Sequence, residues 1–438
     1  MRTKILVLYH FYYPDDVVSA REFSDLCEGI VERGFNVEVW AGNRACHDPS
    51  ASYGPSEETI RGVKIRRFWR PAFNQHSFLG RIINSIWLQN VWFWKLLFTF
   101  TLKPDIIMTG TDPLLLVLAT PFFKLIRPKA KMVHWAFDLY PEAAVADGLV
   151  SGDGLLVKTI RFFLRRAYAS CDLIADLGPC MRRLLVRYDN GGEVGQPVSV
   201  VKTVEEKFGI RNEELGVKSN SNGRKHITLT PWALEEPVTP LASDRMERKL
   251  LFGDSSLGLL YSGSFGRAHE FELILKLARM LGNRAAFAYS VRGSRLEELK
   301  NAISANDQNI RFAEFASPDQ LSARLSSPDI HIVSLRPQWN GTVVPSKFFG
   351  VLAIGRPVLF EGDSNSDISQ WIRKYKVGWN LQHDNLQSTA EELIRFSKDT
   401  VNKAAMYKHC HTVYQEHFSK KAVIDKWEGE LNQLIQLE

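Results

Sequence analysis

Two short segments hold the residues best suited to chemistry. In the first, the apolar run Leu259-Leu260-Tyr261 breaks into Ser262-Gly263-Ser264-Phe265-Gly266-Arg267 ahead of a helical pattern. In the second, Asn340-Gly341-Thr342-Val343-Val344-Pro345-Ser346-Lys347 opens another helix before the apolar strand Pro357-Val358-Leu359-Phe360. Small residues at a strand end let a diphosphate approach backbone N–H groups, and a following helix N-terminus adds partial positive charge. Arg267 adds a forked donor and Lys347 a point charge to such a group. One Gly-rich turn taken singly is as readily structural as phosphate-binding; the pair, in this order, says more.

The elements that must position these loops follow from hydropathy. Apolar runs alternate with helical patterns, the mark of parallel sheets with crossovers. Ile5 to Tyr9, Asn36 to Trp40, Asp105 to Thr109, Lys131 to Trp135 and Leu173 to Asp176 read as strands of one sheet, with helices at Ala20 to Arg33 and Pro113 to Ile126. Gly34 is a helix stop. A second series starts at Leu257 and runs through Ala286 to Arg292, Ile310 to Phe312, Ile330 to Leu335 and Pro357 to Phe360. Between them, Val194 to Lys249 is polar, with Lys218-Ser219-Asn220-Ser221-Asn222-Gly223-Arg224-Lys225 reading as a loop within or before a linker. Val423, Trp427, Leu431 and Leu434 are spaced as one face of a final helix.

The chain has 438 residues, comfortable for two α/β domains. We place the boundaries at 1–240, 241–415 and 416–438, the last a helix expected to pack back on the first domain. Cys27, Cys46, Cys171, Cys180 and Cys410 show no CxxC pair or metal-ligand spacing, so scattered thiols in a reducing compartment are expected. The N-terminus ends its short apolar run in aromatics and Pro14-Asp15-Asp16, a first strand rather than a signal peptide.

Charge placement matters more than the net charge of +6. Residues 61–103 hold eight Lys/Arg and no Asp or Glu, together with Trp69, Trp87, Trp92 and Trp94. Cations, indoles and aliphatics in one window suit an anionic membrane surface. Asn84, Gln89, Asn90 and Lys95 argue against a spanning helix in Ile82 to Leu102. The competing reading is a buried crossover helix with a basic approach strand. No nucleic-acid reading motif accompanies the charge.

Taken together, the motifs resemble family 4 glycosyltransferases of the GT-B fold. Tyr9-His10-Phe11-Tyr12-Tyr13-Pro14 with Ala20-Arg21 is similar to that family's first strand, acceptor loop and first helix. Asp112-Pro113 and Phe137-Asp138-Leu139-Tyr140-Pro141-Glu142 resemble the bacterial surface-polysaccharide subgroup with an Asp-Leu-Trp-Pro-Glu-Ser box. Leu229-Thr230-Pro231-Trp232 matches a Pro-Asn-Trp segment more weakly. Pro345-Ser346-Lys347-Phe348-Phe349 is similar to its Pro-Ser-Lys-Leu-Phe box.

The resemblance implies two Rossmann-like domains facing across a cleft, with the nucleotide-sugar on the second and the acceptor on the first. It implies transfer with retention of anomeric configuration from a nucleoside diphosphate sugar, most simply UDP-linked, to a glycan or polyprenyl-linked acceptor. The leaving phosphate helps deprotonate the acceptor, so neither metal, cofactor nor dedicated nucleophile is required. Donor contacts fall on Gly263, Ser264, Arg267, His269, Arg292, Gly341, Thr342, Ser346 and Lys347, and acceptor contacts on Arg21, Asp112, Asp138 and Glu142. His134, Asp138, Arg267 and Lys347 are the catalytic candidates. Two family glutamates, with seven residues between them, map to Thr342 and Gly350; Glu361 is the substitute candidate for the ribose. Their loss leaves a non-catalytic nucleotide-sugar-binding protein as an alternative, beside an epimerase on the same fold. The expected location is the cytoplasm, on the inner face of the plasma membrane.

Overall fold

A computed structural model describes residues 2–75, 77–189 and 225–436. Most of the polar span, including 218–224, lies outside these residues. The chain divides into two compact units, the second holding 231–422 and the first the described residues on either side, with 423–436. The first division falls between Thr230 and Pro231 rather than at 240, and the last between Ala422 and Val423 rather than at 416.

Unit 1 is an eight-stranded sheet of order β3-β4-β2-β1-β5-β6-β7-β8. Its strands are β1 (Lys4–Leu8), β2 (Asn36–Gly42), β3 (Glu57–Ile60), β4 (Val63–Phe68), β5 (Ile106–Thr109), β6 (Lys131–Trp135), β7 (Leu173–Asp176) and β8 (Lys225–Thr228). Only the β3–β4 pairing is antiparallel. Apolar runs such as Ile5-Leu6-Val7-Leu8 are buried throughout, as both faces of a parallel sheet require. The edge strands β3 and β8 carry polar, half-exposed residues and gave no readable alternation.

The helices of unit 1 are α1 (Val18–Glu32), α2 (Phe78–Phe98), α3 (Thr120–Ile126), α4 (Glu142–Ala146), α5 (Leu155–Ala169) and α6 (Pro179–Asp189). The helix expected from Pro113 to Ile126 is a 3-10 turn, Leu116–Ala119, followed by α3. Leu115 adopts φ 60° just ahead of that turn, which interrupts the regular α-helix. On α2 the two readings of the basic tryptophan window divide by face. Leu88, Trp92 and Leu96 are buried in a cluster with Leu6, Leu8, Trp40 and Ile107. Trp87, Trp94 and Phe98 are exposed. No helix among the described residues is long and apolar enough to cross a membrane.

Unit 2 is a six-stranded parallel sheet of order β11-β10-β9-β12-β13-β14. The strands are β9 (Gly258–Ser264), β10 (Ala286–Arg292), β11 (Ile310–Phe312), β12 (Ile330–Ser334), β13 (Val358–Glu361) and β14 (Gly378–Leu381). This is the doubly wound order, in which connections leave β9 and β12 in opposite directions and open a crevice at their carboxyl ends. Its helices are α7 (Arg245–Phe252), α8 (Glu272–Leu281), α9 (Leu296–Ala302), α10 (Leu321–Ser326), α11 (Lys347–Ala353), α12 (Asp367–Tyr375), α13 (Leu386–Lys398) and α14 (Thr400–His417). The final helix, α15 (Lys420–Gln436), buries Val423, Trp427, Leu431 and Leu434. The Trp427 ring meets Trp135 of β6 edge-on, with centroids 5.4 Å apart.

Candidate active site

The carboxyl end of β9 carries the first of the two chemistry-bearing loops. Gly263 has φ 113°, and a Cβ added there would lie 2.9 Å from Lys347 Cε. The backbone conformation therefore demands glycine, and any side chain there would have to displace the Lys347 chain. The space it leaves is filled by Lys347, the first residue of α11, so the two separated loops meet in one place. Lys347 Nζ donates to the Ser264 carbonyl at 2.8 Å and lies 3.4 Å from His269 Nε2. It stands 5.1 Å from the centre of the Tyr261 ring.

The histidine's tautomer follows from its other nitrogen. His269 Nδ1 is 2.9 Å from the Ser334 carbonyl oxygen, which can only accept, so Nδ1 carries the proton and Nε2 offers a lone pair to the ammonium. Burial, then the Lys347 charge, pushes the His269 imidazolium down to about 3. Burial also pulls the Lys347 ammonium down to about 8. At neutral pH this corner of the strand end holds one positive charge beside a neutral imidazole. That charge can meet a departing diphosphate.

Other donor candidates fall around this centre with differing freedom. Ser264, Arg267 and Ser346 are exposed on their loops. Gly341, φ 80°, turns the second loop, and Thr342 Oγ1 donates to the Trp339 carbonyl at 2.8 Å. Arg292 ends β10 with its guanidinium 4.2 Å over the Phe315 ring. Asn340 is buried, and both polar atoms of its amide lack a protein partner.

Glu361 corrects the expectation placed on it. Its Oε1 accepts from the Leu273 N–H at 2.8 Å and its Oε2 from the Ile274 N–H at 3.3 Å. The carboxyl is buried and caps α8, so it is not presented to a ribose. The same contact corrects the role given to the helix after the first loop. Two of its leading N–H groups are already taken by an internal carboxylate, so that helix end has less charge to offer a ligand.

In unit 1, the strand ends bring Asp112 and Asp138 into one electrostatic neighbourhood with Arg81 of α2. His10, just past β1, places Nδ1 3.1 Å from Asp112 Oδ1, and burial lowers its pKa despite that carboxylate. His10 Nε2 is buried without a protein partner. Crowding by surrounding protein pushes Asp138 up to about 6, with Arg81 opposing and Asp112 reinforcing. The side chain nevertheless keeps an exposed face, and water there damps that displacement. Arg81 lies 6.0 Å from the Tyr140 ring centre. Neither His10 nor Arg81 was singled out from sequence; the aromatic run after β1 held His10 in view without indicating its carboxylate partner.

Two further expectations shift. His134 faces the core of unit 1 with Nδ1 3.0 Å from Thr109 Oγ1, and burial pushes it down to about 3, so it is a packed neutral residue rather than a catalytic base. Glu142 is buried, its Oε1 accepting from Arg161 Nε at 3.1 Å and Tyr188 Oη at 2.6 Å, which makes it structural rather than an acceptor ligand. Arg21 is exposed on α1. Among the described residues no group of three or more His, Cys, Asp or Glu is placed to hold a metal ion.

Residues 19–196 match the glycosyl transferase 4-like domain model. The probable glycosyltransferase WbjE of Pseudomonas aeruginosa is 23% identical over 313 residues, covering 71% of this chain and 70% of that protein. Residues 19–196 are thus similar to a glycosyl transferase 4-like domain, and the chain has the GT-B fold. Among solved folds, the chain superposes on sucrose-phosphate synthase from Thermosynechococcus elongatus with a TM-score of 0.67 at 13% identity, covering 100% of both chains. HepE from Anabaena, solved with UDP, gives a TM-score of 0.62 at 10% identity, over 98% of this chain and 100% of that one.

Proposed function

We propose that the chain transfers a sugar, with retention, from a UDP-linked donor to a glycan or lipid-linked acceptor in surface-polysaccharide or glycoconjugate synthesis. The observation that carries this reading is the convergence of Gly263, Ser264, His269 and Lys347 at the carboxyl end of β9. Lys347, with the exposed Arg267 and Ser346, takes the charge of the leaving diphosphate, the largest electrostatic demand of the reaction. HepE's complex with UDP supports the choice of nucleotide. On the acceptor side, Asp112 and Asp138 bind and orient the hydroxyl, while the leaving phosphate takes its proton. The window 61–103 holds the enzyme at an anionic membrane face, where a lipid-linked acceptor resides.

Calorimetric titration with UDP, GDP and dTDP, with and without EDTA, tests the donor assignment. UDP binding that survives EDTA and weakens by about 10- to 100-fold in Lys347→Ala is expected for one lost charge-assisted contact. Binding of none of the three by a folded protein would overturn it. Donor binding with no turnover on any lipid-linked acceptor extract would favour the non-catalytic reading, which the vacant Gly350 slot motivates.

A further inference from the structure

We infer that the membrane-facing surface of this protein is a three-helix face built from α2, α3 and α5, seating in the head-group region of an anionic bilayer. The inference deepens the membrane contact proposed above, which sequence confined to residues 61–103. The structure adds two helices that lie outside that window.

Each of the three helices already buries an apolar face in unit 1. Leu88, Trp92 and Leu96 of α2, Phe123 of α3, and Val157 and Leu164 of α5 are all buried. Each also shows a second apolar face to solvent. On α2 this face holds Phe78, Leu79, Ile86, Trp87, Trp94 and Phe98, the last 67% exposed. On α3 it holds Phe122 and Leu125, the latter 79% exposed. On α5 it holds Leu155, Leu156, Phe162 and Phe163, with Leu155 at 82%. Scattered exposed leucines are ordinary, but exposed aromatics and leucines gathered on adjoining helices are less so. The helices adjoin: α3 packs on both α2 and α5, and Phe93 of α2 meets Phe122 of α3 edge-on at 6.3 Å. Exposed apolar residues on adjoining helices are the kind of surface that marks a partner or membrane contact.

Charge identifies the occupant. Across Phe78–Phe98, Thr120–Ile126 and Leu155–Ala169 there is no Asp or Glu; α2 carries Arg81 and Lys95, α5 carries Lys158, Arg161, Arg165 and Arg166, and α3 carries Lys124 alone, paired with Asp172 at 2.8 Å. Lys95, Lys158 and Arg166 are exposed, as are Lys103 and Lys129 just beyond the ends of α2 and α3. The Arg166 guanidinium lies 3.8 Å over the Phe162 ring, a cation held against an exposed aromatic. The exposed Asp153 stands ahead of α5, outside it. Exposed aromatics and aliphatics among cations, without anions, suit acyl chains beneath anionic head groups. A groove of about 620 Å³ on α2, between Phe68, Trp87, Trp94 and Phe98, is wide enough to take an aliphatic chain, with Lys95 at its side.

Flotation of the full chain with vesicles of phosphatidylcholine, alone or mixed with phosphatidylglycerol, separates the arms. Two double variants are compared, Trp94→Ser with Phe98→Ser on α2, and Phe162→Ser with Phe163→Ser on α5, each checked for native melting and UDP binding. Wild type is expected to float with the anionic vesicles and each double variant to bind at least ~10-fold more weakly. Lys158→Glu is expected to lose about fivefold or more. If the α2 pair loses binding while the α5 pair floats like wild type, the three-helix face is wrong and the narrower contact at 61–103 stands. If wild type ignores anionic vesicles, both fail. If the α5 pair instead converts a dimer to a monomer without changing flotation, the face is an interface between copies of the chain, and the inference falls.

Discussion

In the proposed function the donor chemistry turns on Lys347, whose environment sets a pH dependence. Burial holds its folded pKa at about 8, well below that of a free lysine. The protonated form is the one that meets a diphosphate, so affinity for UDP should be level near pH 7 and fall as pH rises through about 8, by up to ~10-fold per unit. Lys347→Arg, whose guanidinium stays charged, should remove that decline. Calorimetric titration from pH 7 to 9.5 reads it, and an affinity that stays level in wild type would rule Lys347 out as the titrating ligand. Gly350 offers a gain-of-function test one turn further along α11. A Cβ there meets nothing within 4 Å, so a side chain can start from that position without a clash. Gly350→Glu should tighten UDP binding by about 5- to 10-fold, the worth of one ordinary added hydrogen bond. Unchanged affinity in a folded variant would mean that the ribose does not lie over that position.

At the scale of elements, Glu361 shows what sequence could and could not supply. An acid at the end of a predicted strand reads as a ligand, and β13 was legible from Pro357-Val358-Leu359-Phe360. What was not legible is that α8 starts opposite it, because that proximity joins residues 88 positions apart through the sheet. Periodicity places a strand and a helix; it does not say which helix end faces which side chain. Burial raises the Glu361 carboxyl to about 7 against the two N–H donors that favour its anion. The folded state therefore binds more protons than the unfolded one between about pH 4.5 and 7. The stability contributed by Glu361 is complete below that window and lost as pH rises through it. Glu361→Gln, which mimics the protonated form, should match wild type near pH 5 and gain roughly 1–3 kcal/mol relative to it by pH 8. Urea unfolding at the two pH values measures this, and a relative stability that moves the other way would mean that the ionised carboxylate is the preferred cap.

For the whole molecule, two alternating series of strands and helices were enough to read a pair of doubly wound sheets, because buried parallel strands leave continuous apolar runs. The edge strands β3, β8 and β14 escaped, since half-exposed strands of four residues carry no such run. The last helix was legible as amphipathic from Val423, Trp427, Leu431 and Leu434, yet a stripe of apolar residues does not name the surface that covers it. The structure places those residues in unit 1, with Trp427 fully buried against Trp135, although 192 residues of unit 2 intervene in sequence between Thr230 and Val423. Removing that ring should therefore destabilise the unit that begins the chain. Trp427→Ala is expected to lower the stability of unit 1 by about 3–5 kcal/mol, the usual cost of emptying a large buried aromatic site. Chains with two units need not unfold in one step, so scanning calorimetry can resolve the two transitions. UDP at 100 times its Kd should raise the other transition by about 2.7 kcal/mol in wild type and variant alike. A variant that lost UDP binding while keeping both transitions would show that the last helix serves the donor site, and the division of the chain into two separately stabilised units would have to be redrawn.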